Sequence, residues 1–315
     1  MSFSGRKPVV LVTGLSGFIG GFLARYLVAQ GFGVVGTCRL RSRLSPDLLK
    51  ACTRIHELEI DDKTDWSAPL SGVEFVVHAA AHVHVRRPKS TDLDLFRAVN
   101  VDGLRRFADF SRDAPVSLFV NLSSIAAEFD SRGSRPTAYG ESKKRGEEVL
   151  AEVLGTSECR YLSLRLPAVY GPGMKGGLKW LYGVVKTGLP LPIIGDSPAR
   201  SYLSVWNLAD CVFDCLASEQ PLNVSVAIAD CETLDMQALI EVIAAASGKQ
   251  ARGVRVSFRT VSFMSRMLGK RQEFERAMTP ASVDAQEAAR ILGWTAPFSA
   301  AESWRRVSMA ASDAH

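Results

Sequence analysis

The feature that most constrains this fold is a glycine-rich turn near the amino terminus, TGLSGFIG at residues 13–20. An apolar run at residues 9–13 precedes the turn, and a helical pattern over residues 18–30 follows it. Glycines at a strand-to-helix turn permit a tight bend and let the backbone approach a pyrophosphate at the helix N-terminus. The turn therefore predicts a dinucleotide site, whereas the alternative is a turn that only packs helix on strand. The candidate residues are Gly14, Gly17, Phe18, Ile19 and Gly20.

The alternation of strand and helix continues through the first half of the chain. Apolar runs typical of buried parallel strands recur, and helical patterns separate them. This alternation predicts an α/β fold with a doubly wound parallel sheet of the Rossmann type. The six predicted strands are residues 9–13, 33–37, 55–60, 73–78, 116–122 and 160–164. The longer predicted helices after the first are residues 93–111 and 139–154.

The pattern of the sequence changes after Pro167, where glycine- and proline-rich connections become frequent. We expect a dinucleotide-binding domain at residues 1–170, to which residues 201–230 return. A smaller α/β region at residues 171–200 and 231–315 would bind the substrate.

Composition and charge exclude several classes of protein. Apolar residues make up 47% of the chain and charged residues 23%, which excludes disorder as the main state. The net charge of +5 is mild and spread along the chain, so it does not indicate nucleic-acid binding. No apolar run approaches the roughly 18 residues of a transmembrane helix. No signal-peptide pattern opens the chain either, so we expect a cytoplasmic protein without membrane contact.

The cysteines and histidines do not predict a metal site. The six cysteines lack CxxC pairs, and we expect reduced thiols. His78, His82 and His84 have a spacing seen at metal sites, but they follow an apolar alternation without nearby acids or thiols. Packing at a strand end explains them better, so we expect no metal.

The residues after the second predicted strand bear on which dinucleotide binds. In this position a carboxylate accepts hydrogen bonds from the ribose hydroxyls of NAD, whereas a cation accommodates the 2′-phosphate of NADP. Residues 37–39, Thr-Cys-Arg, contain no acid, and Arg39 is followed by Arg41 and Arg43. This favours NADP(H), with NAD(H) possible and a solvated basic turn as the alternative.

Two residues after the third predicted strand are candidates for the adenine. The Glu59 carboxylate could accept from the exocyclic amine, and Ile60 could pack on the ring. A strand-end acid without a ligand explains Glu59 equally well.

A tyrosine and a lysine one helical turn apart indicate catalysis. Tyr139 and Lys143 open a predicted helix in the motif YGESK, so both side chains project from one face. A free phenol titrates near pH ~10, and a neighbouring ammonium would bring it into range for general acid–base work. Ser124 ends the fifth predicted strand, at the edge where ligands of open α/β sheets bind. These three residues are the candidate catalytic group, although YxxxK alone is also a common helix-surface pair.

Several motifs together resemble the extended short-chain dehydrogenases/reductases, specifically their nucleotide-sugar epimerase, dehydratase and 4-ketoreductase group. The resemblance runs from Val9 to about Phe298. Within the group, DW at 65–66, VHV at 83–85 and GLPLP at 188–192 look like bacterial UDP-2-acetamido-2,6-dideoxy-hexulose 4-reductases. The other matching stretches are residues 13–20, 78–81, 98–100, 122–124, 139–143, 165–173, 200–205 and 292–295.

The resemblance implies roles for individual residues. Tyr139 would be the acid/base, Lys143 would bind the nicotinamide ribose, and Ser124 would orient the sugar oxygen. Arg200 would hold the substrate pyrophosphate, and His84 would face the sugar. The remaining implied contacts are Ala79, Ala80 and Pro167 to the cofactor, and Lys175 and Gly177 to the substrate.

The resemblance also implies partners and marks departures from the family. It implies a UDP-linked sugar as substrate and a homodimer formed through the helices at 93–111 and 139–154. Gly177 stands where the group usually has an asparagine, and the stretch between Ser124 and Tyr139 is short. By the resemblance, the missing asparagine would contact the nucleotide-sugar phosphates and the short stretch borders the sugar pocket, so a different donor sugar is conceivable.

Within the group, the residues favour a reductase. An epimerase regenerates NAD in each turnover, whereas a reductase consumes NADPH and must exchange it, which suits Arg39. A 4,6-dehydratase is disfavoured, because Ile125-Ala126 stand where that family has an Asp-Glu pair. We expect NADP(H)-dependent reduction of a 4-keto UDP-sugar for surface polysaccharide precursors, with an NAD-dependent UDP-hexose 4-epimerase as the alternative.

Two other functions fit the residues less well. A non-catalytic dinucleotide-sensing regulator would not be expected to keep the Tyr–Lys pair. A reductase of small ketones would not need a diphosphate-binding arginine such as Arg200.

Overall fold

The computed structural model describes residues 7–83, 90–128, 137–194, 197–218, 222–251, 253–257, 262, 266–267 and 281–312. It forms two compact units, the first comprising residues 1–166 and 209–227 and the second residues 167–208 and 228–315. The sequence places these boundaries near residues 170, 200 and 230.

The elements follow one another along the chain as strands and helices. The strands are β1 (Val9–Thr13), β2 (Gly33–Cys38), β3 (Arg54–Glu57), β4 (Phe75–His78), β5 (Leu118–Ser124), β6 (Arg160–Leu166), β7 (Ala168–Tyr170), β8 (Leu191–Ile194), β9 (Arg200–Ser204), β10 (Asn223–Ala227), β11 (Thr233–Leu234) and β12 (Gly253–Val256). The helices are α1 (Phe18–Ala29), α2 (Pro46–Ala51), α3 (Ser67–Leu70), α4 (Ser90–Arg97), α5 (Gly103–Arg112), α6 (Ala138–Leu154), α7 (Gly177–Thr187), α8 (Val205–Ala217), α9 (Met236–Ala246), α10 (Ala285–Leu292) and α11 (Ala300–Ser312).

A parallel sheet forms the centre of the first unit. Within the described ranges it has seven strands in the order β10-β6-β5-β4-β1-β2-β3, and each neighbouring pair is parallel. The strands are valine- and leucine-rich because helices cover both faces of such a sheet. The predicted Rossmann-type fold is confirmed, and β10 adds a seventh strand to the six predicted ones.

The strand order creates an opening at one edge of this sheet. The order reverses between β1 and β4, which are neighbours although two strands separate them in the sequence. Ligands of such sheets bind beyond the carboxyl ends of the strands at this reversal. Thr13 and His78, the last residues of β1 and β4, lie opposite each other there.

The helix predicted at residues 93–111 is interrupted. Helices α4 and α5 are joined by one π-helical turn, Ala98–Asp102. A π turn adds a residue to the helical repeat and often marks a functional position. Asn100, in the middle of the turn, is only 3% exposed.

The second unit has smaller sheets of its own. Strands β11, β9 and β7 form one sheet, and β12 pairs with β8 in parallel. Tyr170 stacks on Trp304 at 4.6 Å between ring centroids. The Tyr170 hydroxyl also donates to the buried Asp230 carboxylate at 2.7 Å. None of the helices in the described ranges has the length and apolar character that a bilayer crossing requires.

Candidate active site

The glycine-rich turn has a conformation that requires glycine at two positions. Gly14 has a φ of +75°, and a Cβ atom there would lie 3.1 Å from the Ala80 backbone. A Cβ on Gly20 would lie 2.4 Å from the Gly14 carbonyl oxygen, closer than real contacts allow. Gly17 precedes α1, whose first turn has neither a side-chain cap nor an acidic residue. The amide groups of this helix start are therefore available to a pyrophosphate, so the residues fit a dinucleotide.

The ends of β1 and β4 are joined by a buried hydrogen-bond chain. The Ala80 amide donates to the Thr13 hydroxyl oxygen at 3.0 Å, and that hydroxyl lies 3.0 Å from Nδ1 of His78. Burial lowers the pKa of His78 to about 3, with a smaller contribution from the Lys143 charge. His78 is therefore neutral near pH 7, and a hydrogen bond joins its Nδ1 to the Thr13 hydroxyl.

The structure brings the proposed catalytic hydroxyls together. The Thr137 side chain caps α6 by accepting from the Gly140 amide at 3.0 Å. Gly140 lies so close to the turn after β5 that a Cβ there would be 2.4 Å from the Ala126 oxygen. This approach brings Tyr139 close to Ser124, whose side chain lowers the pKa of the phenol. The Ser124 oxygen also accepts from the Ala126 amide at 3.2 Å, which fixes its orientation.

Opposing effects act on the pKa of Tyr139 and of Lys143. Burial raises the pKa of Tyr139, and Ser124 lowers it. The Lys143 ammonium is buried and donates to the Leu122 carbonyl at 2.9 Å. Burial lowers the pKa of Lys143 to about 8, against an opposing effect of Glu147. The lowering of the Tyr139 pKa by Lys143 stays a prediction.

Asn100 is a site residue to which the sequence reasoning assigned no role. Its amide group donates to the His82 carbonyl and to the Ser142 hydroxyl, both at 3.0 Å, and its oxygen accepts from the His82 amide at 2.9 Å. Ser142 in turn donates to the Tyr139 carbonyl at 2.8 Å. Asn100 therefore ties the segment after β4 to the first turn of α6. The only sequence signal for it was its place in the stretch Ala98-Val99-Asn100.

A second missed group is a buried set of charges beneath Lys143. Glu147, one turn further along α6, is 6% exposed. It pairs with Arg165 of β6, which also pairs with Glu128. A carboxylate four residues after Lys143 is visible in the sequence, but its arginine partner is not.

The adenosine end of the site contains both basic and acidic residues. Arg39 follows β2 on the exposed surface. Glu57, the last residue of β3, lies opposite Cys38 and accepts from the Arg41 backbone amide at 2.7 Å. The sequence reasoning considered only residues 37–39 and therefore missed this carboxylate.

The two adenine candidates differ in their surroundings. Glu59 is exposed. Ile60 is half-buried and packs closely on Gly103. A Cβ atom on Gly103 would lie 2.9 Å from the Cγ2 atom of Ile60. Both assignments stay predictions.

The remaining candidates lie in the second unit or outside the described residues. Pro167 opens the second unit, and Lys175 and Gly177 are exposed just before and at the start of α7. Arg200 opens β9, half-buried and opposite Leu234 of β11. His84 lies outside the described residues. The catalytic group itself lies entirely in the first unit.

Comparisons with known proteins agree with this architecture. The chain is 26% identical over 315 residues to a UDP-glucose 4-epimerase from Vibrio cholerae, an alignment that covers 96% of this chain and 94% of the relative. Its fold matches the UDP-glucose 4-epimerase from Thermotoga maritima solved with UDP-glucose, with a TM-score of 0.76, 22% identity and coverage of 97% and 99%. It also matches UDP-glucuronic acid 4-epimerase from Bacillus cereus in complex with NAD, with a TM-score of 0.74, 18% identity and coverage of 97% and 99%.

A family model covers most of the first unit and includes the glycine-rich turn, the serine at the end of β5 and the Tyr–Lys pair. It describes the NAD dependent epimerase/dehydratase family and matches residues 10–227. On the strength of this match, the chain belongs to the NAD dependent epimerase/dehydratase family.

Proposed function

We propose that this protein uses NADPH to reduce the 4-keto group of a UDP-linked deoxyhexulose of the 2-acetamido-2,6-dideoxy type, a precursor of surface polysaccharides. The observation that carries the proposal is that Ser124, Tyr139 and the buried Lys143 come together at the carboxyl edge of the sheet, where α6 approaches the turn after β5 at Gly140 and the Lys143 ammonium donates to the Leu122 carbonyl. A ketone reductase needs a proton donor and a second hydroxyl at the carbonyl oxygen, and this pair supplies both.

The chain's own residues divide the work of the reaction. A bound nicotinamide dinucleotide would supply the hydride. Tyr139 would transfer its phenolic proton to the carbonyl oxygen, and the raised pKa keeps that proton in place near pH 7. Ser124 would hold the same oxygen, since its hydroxyl is already oriented by the Ala126 amide. Lys143 would exchange the Leu122 carbonyl for the ribose hydroxyls of the nicotinamide.

The charges near the adenosine ribose support NADPH over NADH. No acid follows β2, and Arg39 is exposed there. Glu57 has one carboxylate oxygen on the Arg41 amide and could still accept from the hydroxyls of NAD, which keeps NAD(H) possible. An exposed guanidinium then remains for a 2′-phosphate.

A 4-epimerase is the second candidate function. The relative from Vibrio cholerae, which aligns over 96% of this chain, is named a UDP-glucose 4-epimerase, and the Bacillus cereus structure contains NAD. An epimerase would use Tyr139 in both directions and would keep its dinucleotide between turnovers.

Two parallel reactions distinguish these functions. Purified protein is incubated with UDP-4-keto-6-deoxy-N-acetylglucosamine and NADPH in one reaction, and with UDP-glucose alone in the other. We expect absorbance at the NADPH band to fall, and a 4-hydroxy product in the NMR spectrum, only in the first reaction. Formation of UDP-galactose in the second, without NADPH oxidation in the first, would establish the epimerase instead.

In this proposal the Arg200 side chain would bind the diphosphate group of the UDP-sugar. It lies on β9 of the second unit and is half-buried, as a guanidinium that binds a diphosphate would be.

We also infer a homodimer formed through the α4–α5 and α6 helices. Leu93 and Leu95 of α4 are 49% and 44% exposed, which a partner subunit would cover. Light scattering gives the mass, and a monomer at micromolar concentration would contradict this part of the proposal.

A further inference from the structure

Glu147 is a buried carboxylate that the proposed reaction does not use. It lies on α6 one turn beyond Lys143 and two turns beyond Tyr139, so the three side chains share one helix face. Glutamates are rarely buried unless they are paired. The partners of Glu147 therefore show what its burial achieves.

The Glu147 carboxylate binds two strands of the sheet at once. It accepts from the Ser123 hydroxyl of β5 at 2.5 Å. It also accepts from Arg165 of β6, from Nε at 3.0 Å and from Nη2 at 2.7 Å. Arg165 in turn donates to Glu128, just after the turn that follows β5, at 2.5 Å. Ser123 and Arg165 lie opposite each other in the sheet.

Ser123 lies between the two β5 residues that contact the catalytic group. The carbonyl of Leu122 accepts from the Lys143 ammonium, and Ser124 contacts Tyr139. Consecutive residues of a strand point to opposite faces. A clamp on Ser123 therefore fixes the strand end from the face opposite Ser124.

We propose that Glu147 is a positioning residue, whose carboxylate, neutralised by Arg165, clamps the end of β5 to α6 and so holds Ser124 and Lys143 in their catalytic geometry. The clamp also places a negative charge on the Lys143 face of α6. The consequences for turnover rest on the proposed function, whereas those for Lys143 do not.

The charges around Lys143 give the proposal a direct readout. Glu147 raises the pKa of Lys143, opposing the effect of burial. His78 faces the same ammonium but is neutral near pH 7, because its pKa is lowered to about 3. Tyr139 on the same helix face is protonated there, because its pKa is raised. Removal of the Glu147 charge should therefore move the Lys143 titration to lower pH.

A purely structural ion pair is the competing interpretation. Removing one partner of a buried pair destabilises a protein, because the other charge is left unpaired. Loss of activity in Glu147→Gln alone would not separate the two interpretations. The double variant Glu147→Gln/Arg165→Met removes both charges, which often restores stability.

The test combines these variants with a matched control. Glu148→Gln changes the next residue of α6, an exposed glutamate that pairs with Arg145. For each protein we would measure the Tm, the kcat and KM, and the Lys143 titration in the dinucleotide-free protein by NMR of ¹³Cε-labelled lysine. The Lys143 signal is identified by its loss in Lys143→Met.

Glu147→Gln should lower the Lys143 titration midpoint by about one pH unit, and the double variant should lower it less because it also loses the Arg165 charge. Both should lower kcat by about 10- to 100-fold with little change in KM. The double variant should recover part of the wild-type Tm, since Glu128 loses its partner Arg165, and Glu148→Gln should match wild type throughout. Wild-type kcat in the double variant would overturn the proposal, as would an unchanged Lys143 titration in Glu147→Gln.

Two further outcomes keep the result interpretable. If Glu147→Gln and the double variant do not fold, Ser123→Ala takes their place in the test. It removes the hydrogen bond from Ser123 to Glu147 and leaves the ion pair of Glu147 with Arg165 intact. It should lower kcat without moving the Lys143 titration, and wild-type kcat would overturn the proposal. If wild-type protein converts neither test substrate, the proposed function fails, while the lysine titration still decides the role of Glu147.

Discussion

At the scale of single residues, Tyr139 has the protonation state that a reductase needs. Burial raises its pKa, so the phenol keeps its proton near pH 7. A ketone reductase must donate a proton to the developing alkoxide, and a protonated phenol can do so. The hydrogen bond from Ser124 then stabilises the phenolate that is left behind.

Tyr139→Phe removes the phenolic hydroxyl, and this proton with it, but keeps the ring. We expect kcat to fall by about 10²- to 10⁴-fold, the usual worth of general acid catalysis. Dinucleotide binding, measured by fluorescence titration, should not change. Tyr26→Phe, the same substitution on α1 of the same unit, is the control and should keep the wild-type rate. A Tyr139→Phe protein with most of its kcat would show that another group donates the proton.

Arg39→Ala tests the choice of dinucleotide. A hydrogen bond to a charged group is worth about 1.5–3 kcal/mol, so kcat/KM for NADPH should fall by about 10- to 100-fold while that for NADH changes little. Arg25→Ala, which removes an exposed arginine paired with Asp47, should leave both values unchanged. If the ratio of kcat/KM for NADPH to kcat/KM for NADH were the same in Arg39→Ala as in wild type, the NADPH assignment would be wrong.

His78 makes the stability of the fold depend on pH. Its pKa is about 3 in the folded protein and 6.5 as the ordinary value. Between these values the unfolded chain binds a proton that the folded chain does not. The contribution of neutral His78 to the free energy of unfolding is therefore complete above pH 6.5. It is lost as the pH falls below 6.5, by up to about 1.4 kcal/mol per pH unit.

His78→Asn should weaken this dependence. The asparagine oxygen can accept from Thr13, but the side chain does not titrate. Urea unfolding at pH 7, 6 and 5 gives the free energy of unfolding of both proteins. We expect a smaller loss of stability toward pH 5 in the variant, and equal slopes would show that other groups cause the dependence.

At the scale of elements, the strand-to-helix turn before α1 depends on glycine for space. Gly20→Ala would force its Cβ to within 2.4 Å of the Gly14 oxygen, so the turn must shift. We expect a loss of about 1–3 kcal/mol in the free energy of unfolding, together with weaker dinucleotide binding.

Gly183→Ala on α7 is the matched control. A Cβ there meets nothing within 4 Å, and alanine favours a helix over glycine by about 0.5–1 kcal/mol. Denaturant unfolding should therefore show opposite signs for the two substitutions. A stable Gly20→Ala protein with wild-type dinucleotide affinity would contradict the close packing of this turn.

The π turn between α4 and α5 shows what a periodic pattern cannot predict. The sequence indicates one continuous helix over residues 93–111. The structure inserts the turn at Ala98–Asp102, and Asn100 then reaches the backbone of His82 and the side chain of Ser142. These partners are 18 and 42 residues away. Hydrophobic periodicity reflects neighbours within a helix and carries no information about such partners.

At the scale of the whole molecule, the central sheet is completed by a late segment of the chain. Strand β10 pairs with β6 in register from Asn223 to Ala227, although the second unit begins in the sequence between them. The first unit is therefore not a continuous piece of chain.

A fragment of residues 1–166 should not fold as a stable monomer. It lacks β10, so the buried β6 strand would become an exposed hydrophobic edge, which promotes aggregation. Size-exclusion chromatography and circular dichroism would compare it with the full chain under the same conditions. A monomeric fragment with a cooperative thermal transition would contradict this expectation.

The sequence by itself determined the class of fold and predicted where its chemistry lies. The alternation of apolar and helical patterns predicted the six parallel strands, because burial on both faces leaves that pattern in each strand. The spacing of Tyr139 and Lys143 placed both on one helix face, because four residues are about one helical turn. These properties are local, so the sequence shows them directly.

Only the tertiary structure decided which groups surround that pair. It placed the Lys143 ammonium on the Leu122 carbonyl, and it joined Glu147 to Ser123 and Arg165 across 24 and 18 residues of sequence. Such contacts depend on the strand order and on the close approach of α6 to β5. The physical reason is that hydrogen bonds and desolvation depend on which groups are neighbours in space. The packing of the helices on the sheet decides which side chains become neighbours.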